Sequence, residues 1–205
     1  MSVEMNPDQR IVVTGMGAVT PLGESVEESW GAVIDGQTGF RNIREDILAD
    51  YPQLRVHVAA TVPDFSLLRD EYFGARLTEK DLRSLHRSAQ FGMLAASQAL
   101  RQAGLLHPDE RHEIDPGVVD PDRVGVRMGT GIGGDDELGP TRVKINKGGK
   151  SDRVMPTTIL RVLPERVATS VSMYFQARGP VNTVIGACAT GNLNIGDAAR
   201  LLKLS

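Results

Sequence analysis

Residues 179–203 read G-P-V-N-T-V-I-G-A-C-A-T-G-N-L-N-I-G-D-A-A-R-L-L-K, and this stretch decides the fold. Val181 to Gly186 is apolar almost throughout and predicts a buried strand. The chain's only cysteine, Cys188, follows at once, and a helix opens behind it. A thiol at a helix N-terminus meets the positive end of the helix dipole and unbonded amide hydrogens, which favour the nucleophilic thiolate. The same amides suit the oxyanion formed when a thioester carbonyl is attacked. Ala187 and Ala189 leave room beside the sulfur for a substrate. A small buried hydrophobe is the bland alternative for a lone cysteine, and these residues alone leave the two open.

Within that helix Asn194, Asp197, Arg200 and Lys203 recur three apart on one polar stripe. Leu193, Ala198, Ala199, Leu201 and Leu202 cover much of the remainder. Gly191 and Gly196 cost ~1 kcal/mol each against alanine in a helix interior, so a close approach to the backbone is expected there.

Working outward, Arg123 to Met128 predicts a second strand running into a glycine turn at 129–134. Arg10 to Thr14 predicts a third, ending at Gly15 and Gly17. Ser25 is an expected N-cap for a helix from about Val26 to Asp35, closed by Gly36. Thr78 opens the clearest long helix, started by Glu79, Lys80 and Asp81 and running to Gly104. Val56, Val58 and Ala60 alternate as an edge strand would, and 140–155 is a basic excursion. Pro156 begins a helical region to Gly179, broken or kinked at Pro164.

This order predicts an α/β fold with a mainly parallel sheet. Three central strands are few for a sheet covered on both faces, so the sheet is expected to be incomplete. A length of 205 residues and a 40% hydrophobic content suit one soluble domain. The net charge of −3 excludes bulk nucleic-acid binding, which needs a basic footprint. A single cysteine cannot form an internal disulfide. No run approaches the ~20 apolar residues of a membrane span, so a cytoplasmic, non-membrane protein is expected.

These motifs resemble a known family. Gly179, Val184, Ala187-Cys188-Ala189-Thr190-Gly191 and Ile195 match the nucleophile signature of β-ketoacyl-acyl carrier protein synthases. The opening strand and turn of that family resemble Val12 to Gly23, its second glycine turn resembles Gly129 to Gly134, and Arg178-Gly179-Pro180 is its usual lead-in. The resemblance runs in order from about Arg10 to Ser205 and is closest to the fatty-acid elongating type.

The resemblance implies a thiolase-like layered α-β-α-β-α fold, of which residues 1–205 would be the N-terminal part, ending after the nucleophile helix. It implies an acyltransferase that takes an acyl group onto Cys188 from the phosphopantetheine arm of an acyl carrier protein. Condensation with a malonyl thioester would follow, in fatty-acid or polyketide synthesis. The Cys188 amide would be one oxyanion donor, and Ile132 matches the acyl-pocket gating position. Lys80 and Arg83 match basic positions that meet the acidic carrier; for Arg142, Lys144, Lys147, Lys150 and Arg153 two readings stand, an extension of that surface and a merely solvated run. A homodimer, or a complementing C-terminal half, is the implied partner; no cofactor or metal is implied.

The family's catalytic histidines and lysine have no counterpart here, since His57, His86, His107 and His112 lie in other contexts. The segment Leu163-Pro164-Glu165 departs from the pattern by a small insertion, near an implied dimer contact. Two other readings remain. One is a non-catalytic or truncated interaction subunit, whose type usually lacks the cysteine. The other is a nucleotide-binding module, from Gly129, Gly131 and Gly134. Against the module, Asp135, Asp136 and Glu137 would repel phosphate, and Gly139-Pro140 is expected to end any helix behind the glycines.

Overall fold

The computed structural model describes residues 10–43, 49, 52–62, 77–108, 112–146, 154 and 156–204; the side chains of Glu79, Arg83 and Lys144 lie outside that description. It is a mixed α/β structure. In order come α1 (Val26–Ile34), β1 (Phe40–Asn42), β2 (Val58–Ala60), α2 (Glu79–Ser84), α3 (Arg87–Gln102), β3 (Val126–Arg127), α4 (Asp135–Asn146), α5 (Thr158–Val162), α6 (Arg166–Phe175), β4 (Val181–Asn182) and α7 (Thr190–Leu204).

Two of the expected caps form. Ser25 accepts a hydrogen bond from the Glu28 amide at the start of α1. Thr78 and Asp81 form a reciprocal capping box on α2. The Thr78 hydroxyl and amide hold the Asp81 carboxyl below its ordinary range, because both bonds favour the charged form.

The long helix expected over 78–104 is instead two helices. Leu85 and His86 take extended backbone, and the His86 ring caps α3 by accepting from the Ser88 amide at 3.2 Å. Gln90 Nε2 donates to the carbonyls of Leu82 and Leu85 and satisfies the end of α2.

The core lies where α3 crosses α6. Ala89, Met93 and Leu94 pack with Ala168, Val171 and Phe175, joined by Leu85, Ile114, Val126 and Ala177. Burial of these apolar side chains is the main stabilising term. On the other side of α3 runs the segment 15–18. A side chain at Gly15 or Gly17 would run into the carbonyls of Ala99 or Ala95.

The sheets differ from expectation. Arg10 to Thr14 forms no strand among the described residues, and Val12 and Val13 are exposed. The chain beyond it is held by glutamine side chains, with the Met16 and Ala18 amides donating to Gln102 and Gln98. The other two expected strands shrink to β3 and β4, a parallel pair with Val126 opposite Val181 and Arg127 opposite Asn182. Side chains take over the ladder beyond that point. Thr183 Oγ1 donates to the Met128 carbonyl at 2.5 Å, and the Val184 amide donates to Asn194 at 3.0 Å. Val181 and Ile185 are exposed rather than buried. The expected edge strand is β2, and it pairs antiparallel with β1 in a separate sheet.

The basic excursion is also corrected. A helix, α4, opens directly behind the glycine turn and runs through Gly139-Pro140 to Asn146. Proline removes one backbone bond there, but Asp135, Asp136 and Glu137 complement the helix dipole, and Arg161 pairs with Glu137. The break expected at Pro164 is present, separating α5 from α6.

Candidate active site

Cys188 is exposed, in a 3-10 turn (Ala187–Ala189) that leads straight into α7. The residue before it, Ala187, has φ of +48°, a left-handed conformation that side chains rarely adopt and that costs about 1 kcal/mol or more. The turn is built to keep it there. Thr190 Oγ1 donates to the Ala187 carbonyl at 2.8 Å and accepts from the Gly186 amide at 3.0 Å. The Ala189 amide donates to Gly186 at 2.9 Å and the Thr190 amide to Ala187. The Cys188 amide has no such partner among the described residues.

Asn194 fixes the strand side. Only 3% exposed, it donates to the carbonyls of Val184 at 2.8 Å and Thr190 at 2.7 Å, and accepts from the Val184 amide. One amide side chain therefore ties the chain entering the turn to the helix leaving it. A third tie lies about one turn further along the helix, where Arg127 Nε donates to Asp197 Oδ2 at 2.7 Å. Of the polar stripe on this helix, Asn194 and Asp197 face the protein, while Arg200 and Lys203 are exposed. Leu193, Ile195, Leu202 and Leu204 are exposed, on more than one side of the helix.

The close backbone approach expected at Gly191 and Gly196 is absent: nothing described lies within 4 Å of a side chain built at either. The approach occurs at Gly131 instead, where an added Cβ would sit 3.0 Å from the Ala187 carbonyl. The glycine turn thus passes beside the cysteine turn. Ile132, next in the chain, is 76% exposed. So the two turns that carry Cys188 and Ile132 are brought together.

Lys80 and Arg83 both lie on α2, apart from that junction; Lys80 is exposed, and the side chain of Arg83 is outside the described residues. Arg142 is exposed on α4, while Lys147, Lys150 and Arg153 lie outside the described residues. The histidines hold structure. His86 caps α3, His57 Nε2 meets the Leu54 carbonyl at 3.0 Å, and buried His112 meets Arg101 at 3.3 Å. Among the described residues no cluster of three or more His, Cys, Asp or Glu is placed to hold a metal ion. None of the helices there is long and apolar enough to cross a membrane.

Comparison with known proteins bears on this arrangement. Residues 8–204 match the family described as β-ketoacyl synthase, N-terminal domain. The chain is 36% identical over 196 residues to a 3-oxoacyl-[acyl-carrier-protein] synthase 2 of Vibrio harveyi, covering 95% of this chain and 42% of that protein. It spans less than half the length of the curated relatives it matches. A β-ketoacyl synthase crystal structure from Burkholderia phymatum STM815 superposes with a TM-score of 0.75 at 23% identity, over 95% of this chain and 43% of that one. A type II PKS acyl-carrier protein in complex with its ketosynthase gives 0.66 at 21% identity, over 92% and 45%. These two structures share the fold.

Proposed function

This chain belongs to the β-ketoacyl synthase family, through its N-terminal domain, and we propose from that premise that Cys188 is the acyl-accepting nucleophile of a condensing acyltransferase. The single observation that carries the reading is the exposed Cys188 at the head of α7, with a strained Ala187 before it. In the reaction Sγ adds to the carbonyl carbon of an acyl thioester, the carbonyl oxygen gains the negative charge, and the Cys188 amide donates to it. Collapse breaks the original carbon–sulfur bond and expels the carrier's sulfur as a thiolate, which takes up a proton in exchange for the one that Cys188 gave up. A thioester on Cys188 remains, with no net oxidation.

The acyl donor is an acyl carrier protein bearing its group on phosphopantetheine, met by Lys80 and Arg83 on α2. A carrier is acidic, and an exposed lysine on a short helix attracts it at long range. Ile132, on the turn beside Ala187, gates the acyl chain. Condensation with a malonyl thioester is the second half-reaction of the whole protein; it draws on histidine and lysine groups that the family resemblance places outside residues 1–205. A homodimer or a complementing segment belongs to the same reading, as does a cytoplasmic location.

The partnership is tested by transfer rates from an acyl-carrier thioester and from a small acyl-pantetheine thioester. Reversing charge at Lys80 and Arg83 is expected to slow the first ~10-fold or more at low salt and to spare the second. Equal effects on both donors would sink the carrier-docking assignment.

A further inference from the structure

His86 sits at the junction of α2 and α3 and reaches into the start of α4. Its ring is buried. Nδ1 accepts from the Ser88 amide and lies 2.8 Å from Ser88 Oγ, which leaves Nε2 to donate to Asp136 Oδ1 at 2.6 Å. Asp136 is in the first turn of α4, immediately behind the glycine turn. The ring also walls that turn: a Cβ at Gly134 would lie 3.2 Å from His86 Cδ2 and 2.6 Å from the Arg161 carbonyl. On the far side the Gly134 amide donates to Val162 and Arg161 pairs with Glu137. The exit of the glycine turn is therefore clamped between α3 and α5. Three residues earlier in the same turn, Gly131 lies against Ala187, the residue before Cys188.

We propose that His86 is a positioning residue: through Asp136 and Gly134 it holds the 129–134 turn against the Cys188 turn, and so sets how the cysteine accepts an acyl group. Neither His86 nor Asp136 need touch substrate. The contacts are contiguous, from the end of α2 through the ring to the turn that bears Ile132, so a disturbance at α2 has a short packed path to the nucleophile. The inference rests on Cys188 being the acyl acceptor for its functional half, but not for its structural half.

The experiment uses the full chain with His86→Asn, Asp136→Ala and the double variant. Asparagine keeps a good helix cap for Ser88 and loses the ring, which separates capping from tethering. Amide hydrogen exchange of 129–137 is read first. Each single variant is expected to exchange faster there, with the double variant no faster than either single one, because the two residues share one contact. Acylation of Cys188 by a long-chain acyl thioester is expected to slow roughly 3- to 10-fold, while alkylation by iodoacetamide, too small to need the turn, stays within about 2-fold. Unchanged exchange in both single variants, or additive effects in the double variant, overturns the tether. Faster exchange with unaltered acylation overturns its functional half. An unmodified protein that takes no acyl group, yet shows the exchange pattern, refutes the Cys188 reading and upholds the tether.

Discussion

Arg127 Nε donates to Asp197 Oδ2 at 2.7 Å, and its Nη1 donates to the carbonyls of Val126 at 3.1 Å and Pro180 at 2.8 Å. One guanidinium thus joins β3, the entry to β4 and the second turn of α7 beyond the nucleophile. Its side chain is 10% exposed and that of Asp197 28%, so the pair is shielded more than a surface ion pair. Arg127→Ala is expected to destabilise the chain by about 1–3 kcal/mol in urea unfolding, since it strands a partly buried carboxylate. Arg127→Lys should recover only part of this, because an ammonium lacks the planar fork. A lysine variant as stable as the original would show that charge alone suffices.

Asn194 ties the chain entering the cysteine turn to the helix leaving it. Asn194→Asp keeps an acceptor for the Val184 amide but turns a carboxylate toward the Val184 and Thr190 carbonyls. The expected cost is about 2–4 kcal/mol, larger than for Asn194→Ala, with a lower unfolding midpoint. Equal stability of the aspartate variant and the original would remove Asn194 from the account.

Acid should weaken α2 through Asp81. Its folded-state pKa is depressed by the Thr78 hydroxyl and amide, so the stability it supplies is present above the unfolded value of ~3.9 and is lost as pH falls through the lower folded value. Asp81→Asn is therefore expected to reduce α2 protection at neutral pH and to differ least from the original at the acid end. Hydrogen exchange of 78–85 checks this; a difference that grows on acidification would reverse the sign.

α7 bears Ile195, Leu202 and Leu204, exposed to 70%, 63% and 79%, with Ile195 and Leu202 on one side and Leu204 on the opposite one. Exposed apolar side chains along one helix promote association or dye binding. The 205-residue chain is expected to bind an apolar fluorescent dye, and Leu202→Lys with Ile195→Lys should reduce that signal severalfold at unchanged secondary structure. An unaltered signal would place the sticky surface elsewhere.

What the sequence disclosed was local. Ser25 and Thr78 are legible as caps because a cap and its helix lie within four residues, and the place of Cys188 at the head of a helix is legible because an apolar run, a thiol and a helix follow in direct succession. Asn194 and Arg127 were not, since each acts on segments that only tertiary structure brings near. The spacing of Asn194 with Asp197 and Arg200 shows a polar stripe, and a stripe does not say which of its members meets the protein. The break at Leu85–His86 was hidden for a similar reason: histidine suits a helix interior well enough, and its service as a cap depends on Ser88 and on Asp136, 50 residues away. Gly139-Pro140 misled in the opposite sense. Locally it ends a helix, yet the Glu137–Arg161 and His86–Asp136 contacts carry α4 past it. The sheet was least legible, because side-chain bonds from Thr183 and Asn194 replace the ladder that an apolar run leads one to expect.

The central claim is that Cys188 takes an acyl group. Incubation with an acyl-carrier thioester followed by intact-mass and peptide analysis tests it most directly. One acyl increment is expected, on the peptide that contains Cys188, and none in Cys188→Ala. A natively folded protein that gains no acyl mass, or a Cys188→Ala variant that gains it equally, would contradict the account.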